Sequence, residues 1–335
     1  MKTEITSPRA LSRQLLGAAL ILSLGACSLL GCGGSGESNA STTISTATTS
    51  TTTTDSGSST AAASYTNLAY AGSSAAQKLD LHVPAGTGPF PLVINIHGGA
   101  FMMGDKGMLD TPVKDALLAA GYAVATINYR LSGEAIFPAA VLDAKAAVRF
   151  LRASATTYRL DPARFAAFGQ SAGGNLASML GTTGDQAEFD DASLGNASVS
   201  SRVQAVIDWF GPTDFLQMDR QAASQGCGTS DQTHDLASSP ESRYLGAAIQ
   251  TVPGLAARAN PISYISADDP PFLLQKGALD CTVPYGQSGL LADALRAAGR
   301  SVRFDTLAGT GHGGSAFTST ANIQVLLDFL GTALK

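Results

Sequence analysis

One run of residues has the spacing of a nucleophile and its supports: Phe165 to Gly174, F-A-A-F-G-Q-S-A-G-G, in which Gly169, Ser171 and Gly173 form G-x-S-x-G. The apolar stretch Arg164–Phe168 before it suits a buried strand, and Asn175–Leu180 after it suits a helix. Strand, sharp turn and helix is the setting in which this pattern becomes a nucleophile elbow, with the serine hydroxyl exposed at the head of a helix. A serine hydroxyl is a weak nucleophile until a base takes its proton, and that base needs a carboxylate to fix its tautomer and hold its charge. The chain has four histidines. His82 falls inside an early strand and reads as structural. His234 lies in an irregular stretch and reads as a surface residue. His97 runs into two glycines and suits a loop that supplies backbone donors. His312, in the loop Ala308-Gly309-Thr310-Gly311-His312-Gly313-Gly314 after the last strand, is the expected base. Asp280 follows the strand Pro271–Lys276 by a short turn and is the expected carboxylate, because chemistry gathers at the carboxyl ends of parallel strands. Asp268 and Asp269 precede that strand, and Asp305 lies within the next one. The oxyanion of acyl transfer needs preorganised N–H donors, for which Ala172, Gly98 and Gly99 are the candidates. Phe101, Met102 and Trp209 are candidate substrate contacts, with core packing as the competing reading.

The elements that must position these groups are legible around them. Tyr65–Tyr70 and Gln77–Val83 read as strands about a turn. Pro91–His97 is an apolar, β-branched run suited to a fully buried strand. Thr111–Ala120 reads as a helix, with proline at its start and Gly121 past its end. Tyr122–Ile127 is a strand, and Pro138 to about Arg152 a helix with one apolar face. Val203–Phe210 is a strand broken by Gly211-Pro212. Residues 211 to about 269 are less regular and form the expected substrate wall or short cap. Tyr285–Ala298 is a helix, Val302–Leu307 a strand, and Ser319–Leu334 the closing helix. Alternating strands and helices predict an α/β fold: a mainly parallel sheet of about eight strands with helices on both faces. The chain order Ser171, Asp280, His312 is that of the α/β-hydrolase fold.

Composition narrows the rest. The chain has 335 residues, 44% hydrophobic and 14% charged, with a net charge of −5. There is ample material for a core, and without a basic cluster a nucleic-acid groove is not expected. Lys2, Arg9 and Arg13 precede the apolar run Leu15–Ala26, which has the anatomy of a secretory signal over residues 1–26. Leu24-Gly25-Ala26-Cys27 resembles the lipobox of bacterial lipoproteins, in which the cysteine, here Cys27, carries lipid. A plain secretory signal is the alternative. Residues 27–64 form an expected flexible linker rich in Ser and Thr, with a reach of roughly 30 Å. The catalytic domain is expected over 65–335. These features predict an exported protein, tethered to a bacterial envelope or secreted. Cys227 and Cys281 are then an even pair in an oxidising compartment and are expected to be bonded; two buried thiols are the alternative.

Together, His97-Gly98-Gly99-Ala100-Phe101, Asn128-Tyr129-Arg130-Leu131, Gly169 to Gly174, Gly277 with Asp280 and Val283-Pro284, and Gly309 to Gly313 resemble a family. They are those of the bacterial carboxylesterases that include hormone-sensitive-lipase-like and feruloyl-esterase-like α/β-hydrolases. The resemblance spans nearly all of residues 65–335. It implies a serine carboxylesterase in which Ser171, Asp280 and His312 form the triad, with Gly98, Gly99 and Ala172 around the oxyanion. Two positions depart from many relatives: Ala100 stands where a third glycine is common, and Gln170 where Asp or Glu is common. No cofactor or metal is expected; the partner is a small or polymeric ester. Amide hydrolysis with the same triad, or binding without chemistry, are the competing classes. Plant-wall feruloyl or acetyl esters, short-chain esters and polyesters all fit, and the oligomeric state is open.

Overall fold

The computed structural model describes residues 61–335. The expected signal, Cys27 and all but the last residues of the expected linker lie outside the described residues. The strands are β1 (Ala63–Ala69), β2 (Lys78–Val83), β3 (Phe90–Ile96), β4 (Ala123–Ile127), β5 (Leu160–Gln170), β6 (Ala205–Trp209), β7 (Phe272–Gly277) and β8 (Val302–Leu307). They form a single eight-stranded sheet in the order β1-β2-β4-β3-β5-β6-β7-β8. β1 and β2 pair antiparallel, as do β2 and β4. From β4 through β3, β5, β6 and β7 to β8 every pair is parallel. β1 begins two residues ahead of the expected start at Tyr65, because Ala63 and Ser64 pair with Val83 and His82.

The α-helices are α1 (Thr111–Ala119), α2 (Ala139–Ala153), α3 (Ala155–Tyr158), α4 (Ala172–Thr182), α5 (Met218–Gln225), α6 (Pro240–Leu245), α7 (Pro253–Arg258), α8 (Gly286–Ala297) and α9 (Thr320–Ala333). Successive side chains of a strand point to opposite faces, so each central strand feeds two cores. Leu92, Ile94 and Ile96 of β3 and Phe272 and Leu274 of β7 pack with Val141 and Val148 of α2, Leu176 of α4 and Leu291 of α8. Val93, Phe168 of β5, Ile207 of β6 and Leu273 pack on the other face with Val113 and Leu117 of α1 and Leu326 and Leu330 of α9. β3, β5, β6 and β7 therefore read as near-continuous apolar runs, and their carboxyl ends all lie at one edge of the sheet. The chain between β6 and β7 has no strand. It consists of α5, α6, α7 and short 3-10 turns.

Candidate active site

The elbow is fixed by its neighbours. Ser171 has φ 55° and ψ −123°, a conformation that L-residues rarely adopt. Strain of this kind costs on the order of 1–3 kcal/mol and persists only where the surroundings over-determine it. Here they do. Ser171 donates its N–H to the Trp209 carbonyl at 2.9 Å, and its own carbonyl accepts from Gly174 and Asn175. A Cβ at Gly169 would run into the Gly173 carbonyl, and one at Gly173 into the Ile96 carbonyl. Both flanking glycines are thus required for the turn from β5 to α4 to close against β3. Beneath the turn, the buried Asp208 carboxylate accepts from Ser178 Oγ and the Gly211 N–H, both at 2.7 Å. Burial pushes the Asp208 carboxyl above its ordinary range.

The loop after β8 carries His312 to Ser171. His312 Nε2 lies 2.8 Å from Ser171 Oγ, and His312 Nδ1 lies 2.8 Å from Asp280 Oδ2. Asp280 is fully buried. Its Oδ1 accepts from the Thr282 and Val283 N–H groups, both at 3.0 Å. Its Oδ2 also accepts from Lys276 Nζ at 2.7 Å. Burial opposes ionisation of Asp280, but the bond from His312 and the charge and bond of Lys276 outweigh it and hold the carboxyl below its usual range. The Phe210 ring stands edge-on to the imidazole, with centroids 4.6 Å apart. Ser171, His312 and Asp280 thus form one unbroken chain of hydrogen bonds from three different strand exits. Such a chain can move a proton from the serine to the ring and hold the charge that results.

The glycine-rich loop after β3 lies against the elbow. A Cβ at Gly98 would sit 2.9 Å from the Gln170 carbonyl and 3.2 Å from Ser171 Cβ. Gly99, Ala100 and Phe101 have φ of 111°, 56° and 59°, so three successive residues occupy left-handed backbone. The Ala172 amide heads α4, where N–H groups lack an intrahelical acceptor. The His97 ring is not part of the proton chain. It is buried, its Nδ1 is 2.6 Å from the Gly98 carbonyl, and it stacks on Tyr129 at 4.5 Å.

Two expected substrate contacts are corrected. Phe101 is 2% exposed and stacks on Tyr244 with centroids 3.9 Å apart, so its ring belongs to the core beneath the loop. Trp209 is 1% exposed and packs between Phe168 and Phe317, on the α1/α9 face of the sheet. The aromatic that reaches the histidine is the next residue, Phe210. Its φ of 48° turns it out of the strand. Met102 lines a cavity of about 470 Å³ with Ser132, Gly133, Ser242 and Arg243, none of which belongs to the triad. His234 is also corrected. It is buried, not superficial, with Nδ1 3.1 Å from Glu241 Oε1. Burial disfavours its charge, but the Glu241 carboxylate, with Asp219 and Asp235, outweighs burial and raises its pKa.

Cys227 and Cys281 are joined, with Cα atoms 5.7 Å apart and a sequence separation of 54. The bond fastens the end of α5 to the residue after Asp280. Gln225 adds to it: its Nε2 donates to the Asp280 carbonyl, and its Oε1 accepts from the Tyr285 N–H. The buried Gln287 of α8 holds the same region through the Thr213 and Asp214 N–H groups. Lys276 escapes sequence reasoning, because a lysine at a strand end reads as a surface residue. Phe210 is legible only as the end of the strand Val203–Phe210, where a place in the pocket and core packing are both open. Among the described residues no group of three or more His, Cys, Asp or Glu is placed to hold a metal ion.

The family profile of BD-FAE matches residues 79–295. The chain belongs to the BD-FAE family. That match contains Ser171 and Asp280 and stops short of His312. Esterase LipC of Mycobacterium tuberculosis is 30% identical to this BD-FAE chain over 228 residues, 68% of this chain and 54% of LipC. The chain spans about half the length of the curated relatives it matches. Among solved structures, a truncated carbohydrate esterase from gut microbiota superposes with a TM-score of 0.72 at 33% identity, covering 81% of this chain and 96% of that one. The bifunctional GH43-CE protein of Bacteroides eggerthii superposes with a TM-score of 0.71 at 33% identity over 81% of this chain and 38% of its own. The architecture is that of the α/β-hydrolases.

Proposed function

We propose that this chain is a serine carboxylesterase that works through an acyl-enzyme on Ser171. The observation that carries the reading is the continuous path Ser171 Oγ to His312 Nε2 and His312 Nδ1 to Asp280 Oδ2, each link 2.8 Å. Ser171 attacks the ester carbonyl carbon while His312 takes the hydroxyl proton. The C–O bond to the alcohol breaks as His312 returns that proton to the leaving oxygen. Water then attacks the acyl group by the same route and frees the acid. The N–H groups of Ala172, Gly98 and Gly99 are assigned to the developing oxyanion, and each such donor contributes about 3 kcal/mol in the transition state. Relatives named as esterases support an ester over an amide.

Acyl esters borne on carbohydrate are the favoured substrate class, because a solved neighbour at 33% identity is a carbohydrate esterase from gut microbiota. The test is hydrolysis by wild type and Ser171→Ala of p-nitrophenyl esters from acetate to palmitate, a feruloyl ester, an acetylated oligosaccharide and the matching amides. Serine-dependent turnover of esters ahead of amides is expected; amides turning over faster would overturn the ester assignment. Signal anatomy over residues 1–26 further supports export with a lipid on Cys27, and the intact mass of the mature N-terminus checks it.

A further inference from the structure

Lys276 is the group in this site that the reaction does not explain. It lies on β7, its side chain is fully buried, and its ammonium is 2.7 Å from the same Asp280 oxygen that His312 uses. Burying an ammonium is expensive unless it is paired, so a residue of this kind needs a reason. Orientation of the carboxylate does not supply one. The Thr282 and Val283 amides already fix Oδ1, and His312 takes Oδ2. What Lys276 adds is a positive charge.

We propose that Lys276 is a positioning residue that acts through Asp280: its charge draws on the carboxylate that would otherwise stabilise the His312 imidazolium, and so keeps His312 a neutral, competent base to lower pH. This rests on the reading of Ser171, His312 and Asp280 as the catalytic set. The ammonium and the imidazole share one oxygen, so they lie no more than two hydrogen-bond lengths apart. A like charge at that separation disfavours protonation of the ring. The charged groups acting on Lys276 are Asp280 and, from the neighbouring strand β6, Asp208. Those acting on Asp280 are Lys276 and His312. Phe210, on the imidazole's flank, is uncharged, and Asp305 is approached instead by Gln275, which points to the opposite face of β7. Burial draws the Lys276 pKa below its ordinary value in spite of both carboxylates. Loss of the ammonium proton as pH rises would release Asp280 fully to His312.

The test is the pH dependence of kcat/KM for wild type, Lys276→Gln and Lys276→Met on one activated ester. The glutamine keeps a hydrogen-bond donor to Asp280 and removes the charge; the methionine removes both. The acid limb is expected to move up by about one pH unit in both variants. A purely structural lysine would lower the rate at every pH and leave the limb in place, and that result overturns the proposal. So does a limb that moves with methionine and stays with glutamine, since it assigns the effect to the hydrogen bond. Should neither variant fold, the wild-type chain suffices. The Nδ1 proton resonance of His312, assigned by its loss in His312→Gln, is expected to shift through a second step as Lys276 titrates; a resonance flat from pH 7 to about 10 counts against the coupling. If wild-type turnover proves independent of Ser171, the functional reading fails, while the same resonance still decides whether Lys276 and His312 are coupled.

Discussion

The edge of the sheet and the stretch between β6 and β7 meet at Asp280 and are built on opposite principles. At the sheet edge Ser171 and Asp280 are fixed by backbone, and His312 by its bonds to both. Ser171 sits in the tight turn from β5 to α4 with glycine two residues away on either side, and Asp280 is held by two amides. Residues 211–268 have no strand and only short helices. They are held to the edge by a disulfide and by the amides of Gln225 and Gln287. Strand exits and tight turns place the reacting atoms, while a stretch of short helices is stapled next to the carboxylate.

The contrast can be broken first at the nucleophile. Ser171→Ala should lower kcat on an activated ester by at least about 10³-fold with no loss of thermal stability, read by steady-state kinetics beside calorimetry. Gly173→Ala should be the most damaging change to the fold. Its methyl would strike the Ile96 carbonyl, and a loss of more than about 3 kcal/mol in urea unfolding is expected. A Gly173→Ala protein of wild-type stability would mean that the edge is not rigid.

In the insertion the expected effects are smaller and differently distributed. Cys227→Ser with Cys281→Ser should cost about 2–4 kcal/mol of stability while kcat falls only a few-fold. A collapse of kcat at full stability would show that the staple serves the carboxylate more than the insertion. The smallest effect is a pH dependence. The folded His234 has a raised pKa, so its pair with Glu241 contributes stability that is fully present below the unfolded value near 6.5. That stability is lost as pH rises through the folded value. Unfolding free energy should therefore decline over that window in wild type and be flatter in Glu241→Gln.

The same contrast explains what the sequence revealed. Ser171, Asp280 and His312 were legible because glycines, strand exits and chain order punctuate them, and β3 to β7 because buried parallel strands are continuous apolar runs. α5 to α7 were not legible: helices of six to eight residues carry too few turns to show a period. Phe101 and Trp209 show a second limit. An aromatic beside a site has the same composition whether it faces substrate or core, and only the left-handed turn at Phe101 and the pairing of β6 decide it. Lys276 shows a third, since its partner is recognisable only once β7 and its exit loop are folded.

In the proposed mechanism Ser171 carries the acyl group. The most direct measurement is intact and peptide mass spectrometry after treatment with a fluorophosphonate. One adduct per chain is expected on the peptide containing Ser171, together with complete loss of ester turnover, and Ser171→Ala should remain unlabelled. An unmodified Ser171 in a folded protein that still hydrolyses esters would contradict the account.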